Sequence, residues 1–303
     1  MVDLVIAGSI GLDDIETPFG NAKKVLGGSG IYAAHAAAFF AKPGLVSITG
    51  TDFPDEHISL LTGKGIGLEG VERKGKTLRW EGFYEYDMNE AETRRTELNS
   101  LLDFNPKLPE KYRKAKYVFL GNLDPVVQIK VMDQLEDPEL VVMDTMNFWI
   151  ESKKEELLNA IKKVDILVLN DAEARELFEE VNLVKAADRV LDLGPKAVVI
   201  KKGEHGALLF MRENGERKHF SAPGYPLETI KDPTGCGDSF GGGMIGWLAK
   251  TGDTSEANLR KAVIYGSVLA SFNAEDFSLE RQKTLAMEEI DRRFHEFRGI
   301  REF

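Results

Sequence analysis

Cysteine is almost absent from this chain of 303 residues. The one present, Cys236, has no second thiol to pair with, which excludes an intramolecular disulfide and fits a reducing compartment. Histidine is scarce too: His35, His57, His205, His219 and His295 are scattered without ligand-like spacing, which argues against a zinc or iron enzyme. No hydrophobic run approaches the roughly 20 apolar residues of a membrane span. The opening MVDLVIAGSIGLDD lacks a basic segment ahead of an apolar stretch, so the expectation is a cytoplasmic protein with no membrane partner. Positive charge is in deficit, with 39 Lys and Arg against 50 Asp and Glu and a net charge of -11. Such a balance argues against nucleic acid as a partner while leaving room for a small anion in a local pocket. There is no Gly-x-x-x-x-Gly-Lys-Ser/Thr loop, and Gly8-Ser9-Ile10-Gly11 lacks the glycine order of a dinucleotide fingerprint.

What is present is a regular rhythm. Short aliphatic runs at Leu4–Ala7, Leu45–Thr49, Tyr117–Leu120, Leu140–Met143, Ile166–Leu169 and Ala197–Ile200 read as strands buried on both faces. Amphipathic stretches between them, Ser29–Phe40, Pro125–Leu135, Glu151–Lys162 and Asp171–Phe178, read as helices. The alternation predicts a mostly parallel sheet between helical layers. The last third turns helical, at Asp238–Ala249, Ser255–Phe272 and Gln282–Phe297. One stretch breaks the rhythm: from about 68 to 100, large and polar residues alternate around a Lys-Gly-Lys turn, as antiparallel strands do. Joined by about 12–26, these strands would form a small sheet within a single domain spanning 1–303. That sheet reads either as a lid over a cleft or as a hairpin without a role.

Asp232-Pro233-Thr234-Gly235-Cys236-Gly237-Asp238 is the strongest local signal, running straight into SFGGGMIGWLA. A glycine-containing loop that opens a helix presents unpaired N–H groups at the positive end of the helix dipole, a ready site for phosphoryl oxygens. Gly241, Gly242 and Gly243 each cost a helix about 1 kcal/mol relative to Ala, so something is expected to pack closely there. Two readings fit Asp238: a first-turn acid favoured by the dipole, or a base that takes a proton beside the anion site.

At this point the chain resembles a known family. Asp-x-Thr-Gly-x-Gly-Asp ahead of a Gly-rich helix is similar to the signature of the ribokinase-like, or pfkB, carbohydrate and nucleoside kinases. Gly27-Gly28-Ser29-Gly30 before an Ala-rich helix, Gly8-Ser9-Ile10 followed by Asp13, and Asn170-Asp171-Ala172-Glu173 after a strand agree with it, in the family's order across essentially the whole chain. The resemblance implies a three-layer α/β/α fold with a β lid, and transfer of the γ-phosphoryl group of ATP to a hydroxyl of a sugar or sugar derivative. A nucleoside acceptor is the alternative, and a catalytically silent sensor a second one.

By the same resemblance, Asp238 is the catalytic base, and the amides of Gly235, Cys236 and Gly237 form the anion hole. Asp13, Gly27 and Gly28 meet the substrate, and Asn170, Lys201, Gly203 and Thr234 meet the nucleotide. Asn170 and Glu173 hold Mg²⁺ through water. K⁺ near Asp232 and a homodimer through the lid are further expectations. Tyr32 departs from the pattern: it stands where many family sugar kinases have an Asn, and its ring is expected to pack on a sugar or base face. Met146-Asn147-Phe148-Trp149 follows the carboxyl end of a strand, where α/β folds bind ligands, and Asn147 is expected to face the cleft.

Overall fold

The computed structural model describes residues 2–213 and 215–302. Nine strands form the large sheet: β1 (Leu4–Ala7), β4 (Pro43–Thr49), β5 (Gly67–Arg73), β8 (Tyr117–Leu120), β9 (Leu140–Asp144), β10 (Ile166–Asn170), β11 (Ala197–Lys201), β12 (Ala207–Glu213) and β13 (Glu216–Ala222). Their order is β13-β12-β11-β10-β9-β8-β1-β4-β5. Pairing is parallel from β5 through to β11, and the β12–β13 hairpin closes that edge antiparallel.

Successive residues of a strand point to opposite faces, and the core divides accordingly. Leu4, Ile6, Phe119, Val142, Val168 and Val199 pack with residues of the helices Ser29–Ala37, Cys236–Thr251 and Glu256–Asn273. Val5, Ala7, Val118, Met143, Leu167 and Val198 pack with the helices Pro125–Met132, Lys154–Ile161, Asp171–Phe178 and Leu183–Leu193. The result is three layers, with the largely aliphatic strands in the middle as the sequence implies. Each fully buried Leu, Ile or Val contributes about 1.5–3 kcal/mol before the entropy of ordering it.

Close neighbours explain the costly glycines of Cys236–Thr251: Gly241 meets the Phe119 ring, Gly243 meets Leu269, and Gly242, with Gly246 one turn on, meets the helix Ser29–Ala37. A Cβ at Gly242 would overlap the carbonyl of Ala33, and one at Gly246 would lie 2.8 Å from Ala37 Cα. The Ala-rich helix Ser29–Ala37 therefore lies backbone to backbone against the helix that carries Asp238.

The small sheet holds β2 (Gly11–Thr17), β3 (Gly20–Gly27), β6 (Leu78–Tyr84) and β7 (Ala91–Glu97), in the order β3-β2-β6-β7. Two expectations are corrected here. The small sheet does not begin at 68, because 67–73 is β5, hydrogen-bonded parallel to β4 as an edge strand of the large sheet. An edge strand is half-exposed, and its polar alternation imitates a solvent-facing hairpin. Nor is the small sheet wholly antiparallel: β2 pairs parallel with β6. In addition, the helix expected over 151–162 is two, Asn147–Ser152 and Lys154–Ile161, broken at Lys153, whose backbone is non-helical. Among the described residues, no helix is long and apolar enough to cross a membrane.

Candidate active site

β9, β10 and β11 run parallel, so Asp144, Asn170 and Lys201, their last residues, emerge on one edge of the large sheet. The loop 232–237 arrives there as well. Asp232 anchors it: its two carboxylate oxygens accept the N–H groups of Thr234 at 2.8 Å and Ser278 at 3.1 Å. Gly235 caps the helix with φ +76, a left-handed conformation that glycine adopts without a Cβ penalty. A side chain there would also overlap the ring of Tyr32.

Among the described residues, nothing accepts the N–H groups of Gly235, Gly237 or Asp238. They converge at the positive end of a 16-residue helix. The Cys236 N–H is not among them, because it closes a turn onto the Pro233 carbonyl at 3.1 Å. Of the Gly235, Cys236 and Gly237 amides expected to bind an anion, Cys236 is therefore engaged, and the Asp238 N–H is left unpaired in its stead. The Cys236 thiol lies beneath, close to the Ala270 carbonyl, and burial pushes it up to about 12. At that value it is an inert packing group.

The Asp238 carboxyl makes no hydrogen bond with the described residues. Burial, then the nearby Asp144 carboxylate, pushes it up to about 7, while Lys201 holds it back. Lys201 Nζ is 2.7 Å from Asp144 Oδ2, and both side chains are largely buried. Glu173 joins the same cluster, raised to about 7 mainly by burial. It forms a reciprocal cap with Asn170: the Asn170 N–H donates to Glu173 Oε2 at 2.7 Å, and the Glu173 N–H donates to Asn170 Oδ1 at 2.8 Å. Asn170 therefore orients Glu173, and its carboxamide oxygen is already engaged.

Asp13 enters from β2 of the small sheet. Its carboxyl overlies Gly27, where a Cβ would overlap it. Burial, then Asp232 and Asp238, pushes it up to about 8. No described residue hydrogen-bonds the Asp13 carboxyl, which leaves it open to hydroxyl donors. Gly28, next in sequence, has φ +99 and packs on the Ser9 carbonyl.

The small sheet also touches the anion loop. Thr234 Oγ1 donates to Tyr84 Oη at 3.1 Å. The turn between β6 and β7 reaches the loop after β11, where a Cβ on Gly203 would lie 2.9 Å from Asn89 Oδ1.

One expected residue is not brought to the site as the sequence suggested. Tyr32 is buried, with its ring against Gly235, so neither face is open to a ligand. Its hydroxyl makes no close hydrogen bond among the described residues, with Ser278 beside it and the Asp232 and Asp13 carboxyls nearby. Asn147 is exposed, and its carboxamide oxygen accepts the N–H of Phe148 at 3.0 Å.

Residues missed in the sequence include Asp144 and Asn273. Asp144 had a readable signal, an acid ending an otherwise apolar strand. Asn273 had none. Its Nδ2 donates to the Thr234 carbonyl at 2.7 Å, and its Oδ1 accepts from Gln282 Nε2 at 2.9 Å. Gln282 is in turn held by buried His35, whose Nδ1 is 3.0 Å from Gln282 Oε1.

No group of three or more His, Cys, Asp or Glu side chains gathers closely enough to hold a metal among the described residues. The donor set instead fits Mg²⁺ that keeps several waters and is held mainly by phosphates. Glu173 is the oxygen donor available to such waters, with its second carboxylate oxygen outside the cap.

Residues 12–282 match the family described as pfkB family carbohydrate kinase. A cytidine kinase from Thermococcus kodakarensis is 31% identical over 249 residues, covering 81% of this chain and 88% of the relative. The nucleoside kinase of Methanocaldococcus jannaschii, an archaeal member of the ribokinase family, superimposes with a TM-score of 0.77 at 20% identity, over 97% of this chain and 99% of that one. A candidate ribokinase II from E. coli, solved with ATP and Mg²⁺, gives 0.75 at 17% identity, over 98% and 100%. The fold is ribokinase-like.

Proposed function

Because the chain belongs to the pfkB family of carbohydrate kinases, we propose that it transfers the γ-phosphoryl group of ATP to a hydroxyl of a nucleoside. The observation that carries this reading is the Asp238 carboxyl, free of hydrogen bonds, standing beside three unpaired N–H groups at one helix start. That pairing of base and anion hole is what an in-line phosphoryl transfer requires. A nucleoside takes precedence over a simple sugar, the first expectation, because the relative that shares 31% of its residues over most of both chains is a cytidine kinase.

In the reaction, the acceptor hydroxyl lies between Asp13 and Asp238. Asp13 accepts hydrogen bonds from neighbouring hydroxyls and fixes the sugar. Asp238 takes the proton as the acceptor oxygen forms its bond to the γ-phosphorus. The bond from that phosphorus to the bridging oxygen breaks, and the electron pair leaves with ADP. The N–H groups of Gly235, Gly237 and Asp238 hold the oxygens of the transferred group, already oriented before the ligand arrives. Glu173, fixed by Asn170, would help hold Mg²⁺ through water, and the ion would supply neutralisation of the phosphate charge.

A simple sugar acceptor remains the second reading, since Asp13 would meet the hydroxyls of a free sugar in the same way. The test is turnover of Mg-ATP against cytidine, other nucleosides, ribose and sugar acids, with Asp238→Asn as control. Turnover of a nucleoside, lost in the control, supports the proposal. Turnover confined to sugars replaces the acceptor class. ATP binding without turnover of any acceptor leaves a sensor on a kinase fold.

A further inference from the structure

Lys201 is an odd residue to find where it is. It ends an aliphatic strand, AVVIK, and its side chain is 17% exposed. Burying an ammonium is costly unless it is paired and hydrogen-bonded. Asp144, 4% exposed, pairs with it from the end of β9. A bond to one oxygen uses one of three ammonium protons, and the other two point elsewhere. The direction is set by Gly237: Lys201 Nζ lies 3.0 Å from where a Cβ on that glycine would stand. The ammonium therefore hangs over the first helical turn, beside the unpaired Gly237 N–H. Charge gives the same answer. Lys201 is the cation facing three carboxylates, Asp144, Glu173 and Asp238, in a place that must admit a polyphosphate.

We propose that Lys201 is a catalytic residue of the phosphoryl transfer, its ammonium joining the amides of Gly235, Gly237 and Asp238 on the oxygens of the transferred group, with Asp144 as the residue that positions it. The inference rests on the kinase reading. Held by Asp144, the ammonium needs no reorganisation when negative charge shifts during transfer. The acceptor's proton still passes to Asp238, and the leaving electron pair still goes with ADP. Lys201 changes no covalent bond and serves as a fixed positive charge.

The rival explanation is that Lys201 only neutralises Asp144. A charge-matched double variant separates the two. Lys201→Met alone is expected to lower kcat by about 10²–10³-fold, the scale of losing one oxyanion donor, with KM for the acceptor changed less than about 5-fold. Asp144→Asn alone, which leaves the ammonium unanchored, lowers kcat by a smaller factor. Lys201→Met with Asp144→Asn removes both charges together, so no buried carboxylate is left unpaired to weaken the fold. Its kcat stays at least about 10²-fold low if Lys201 is catalytic. A double variant that folds and turns over within about 3-fold of the unaltered protein overturns the inference and leaves the kinase reading intact. An unaltered protein that turns over no acceptor overturns both.

Discussion

Tyr84 of the small sheet accepts a hydrogen bond from the Thr234 hydroxyl, 3.1 Å away, in the loop that opens the helix Cys236–Thr251. The anion loop is thus touched from above by β6 and held from below by Asn273, which takes the Thr234 carbonyl. One residue of the loop is fixed at two atoms by two different parts of the chain.

Tyr84→Phe removes the upper tie alone. A single neutral hydrogen bond is worth about 0.5–1.5 kcal/mol, so KM for the acceptor is expected to rise about 2–10-fold with kcat changed little. Steady-state kinetics read this directly. A kcat loss equal to the KM change would mean that the tie belongs to the reacting state instead.

Asn273 supports the lower side, and its carboxamide is oriented by Gln282, Ser239 and, behind them, His35. Asn273→Asp exchanges a donor for an acceptor facing the Thr234 carbonyl. The variant is expected to be slow at neutral pH and to recover relative to the unaltered protein as pH falls and the new carboxyl gains a proton to donate. Asn273→Ala has no such recovery, and matching pH profiles for the two variants would remove Asn273 from the role of orienting the loop.

The rate should follow the ionisation of Asp238. Only the carboxylate form accepts a proton, and burial sets its pKa at about 7 in the free protein. A plot of kcat/KM against pH is expected to climb through about 7 and level above it. Asp238→Asn should be lower by orders of magnitude and lose that limb. A limb near 4 would show the carboxyl to be solvated and the site open.

Stability without ligand should run the opposite way. Asp13, Glu173 and Asp238 have folded-state values of about 8, 7 and 7, all above the unfolded range near 4. Between these limits the folded protein binds more protons than the unfolded chain, so stability is greatest below about pH 4 for these groups and declines as pH rises through 7 to 8. Melting temperature measured from pH 5 to 8.5 should fall, and Asp13→Asn should flatten the upper part of that fall. A curve rising over this range would contradict the burial of these carboxyls.

Tyr32→Phe removes a buried hydroxyl that makes no close hydrogen bond among the described residues. Leaving such a group unsatisfied costs about 1–3 kcal/mol, so the variant is expected to be as stable as the parent or more so in denaturant titration. Destabilisation would reveal a partner, such as a bound water or ion, for that hydroxyl.

The layers and the anion loop were legible because their signals are local. An aliphatic run such as ILVL at 166–169 has few alternatives to a buried strand, and Gly235 with Gly237 ahead of an apolar helix announces unpaired amides. Edge strands were not legible. β5 carries the sequence GLEGVER, and only its neighbour β4 distinguishes it from a strand of the small sheet. The charge pair was half legible: Lys201 stood out, but Asp144 lies 57 residues earlier, and their meeting depends on two strands being placed either side of β10. Tyr32 misled because its chemistry suits a ligand face, whereas the space left by Gly235 had already claimed the ring.

The distribution of the site along the chain has a consequence for how activity is acquired. Asp13, Asp144, Glu173, Lys201 and Asp238 come from segments spread over more than two-thirds of the sequence, and contacts between distant segments close late because loop entropy must be overcome first. A chain still being synthesised, or one halted partway through refolding, holds the separate pieces without the assembled charge cluster. On the kinase reading, regained turnover during refolding is therefore expected to report assembly of that cluster rather than of any single piece.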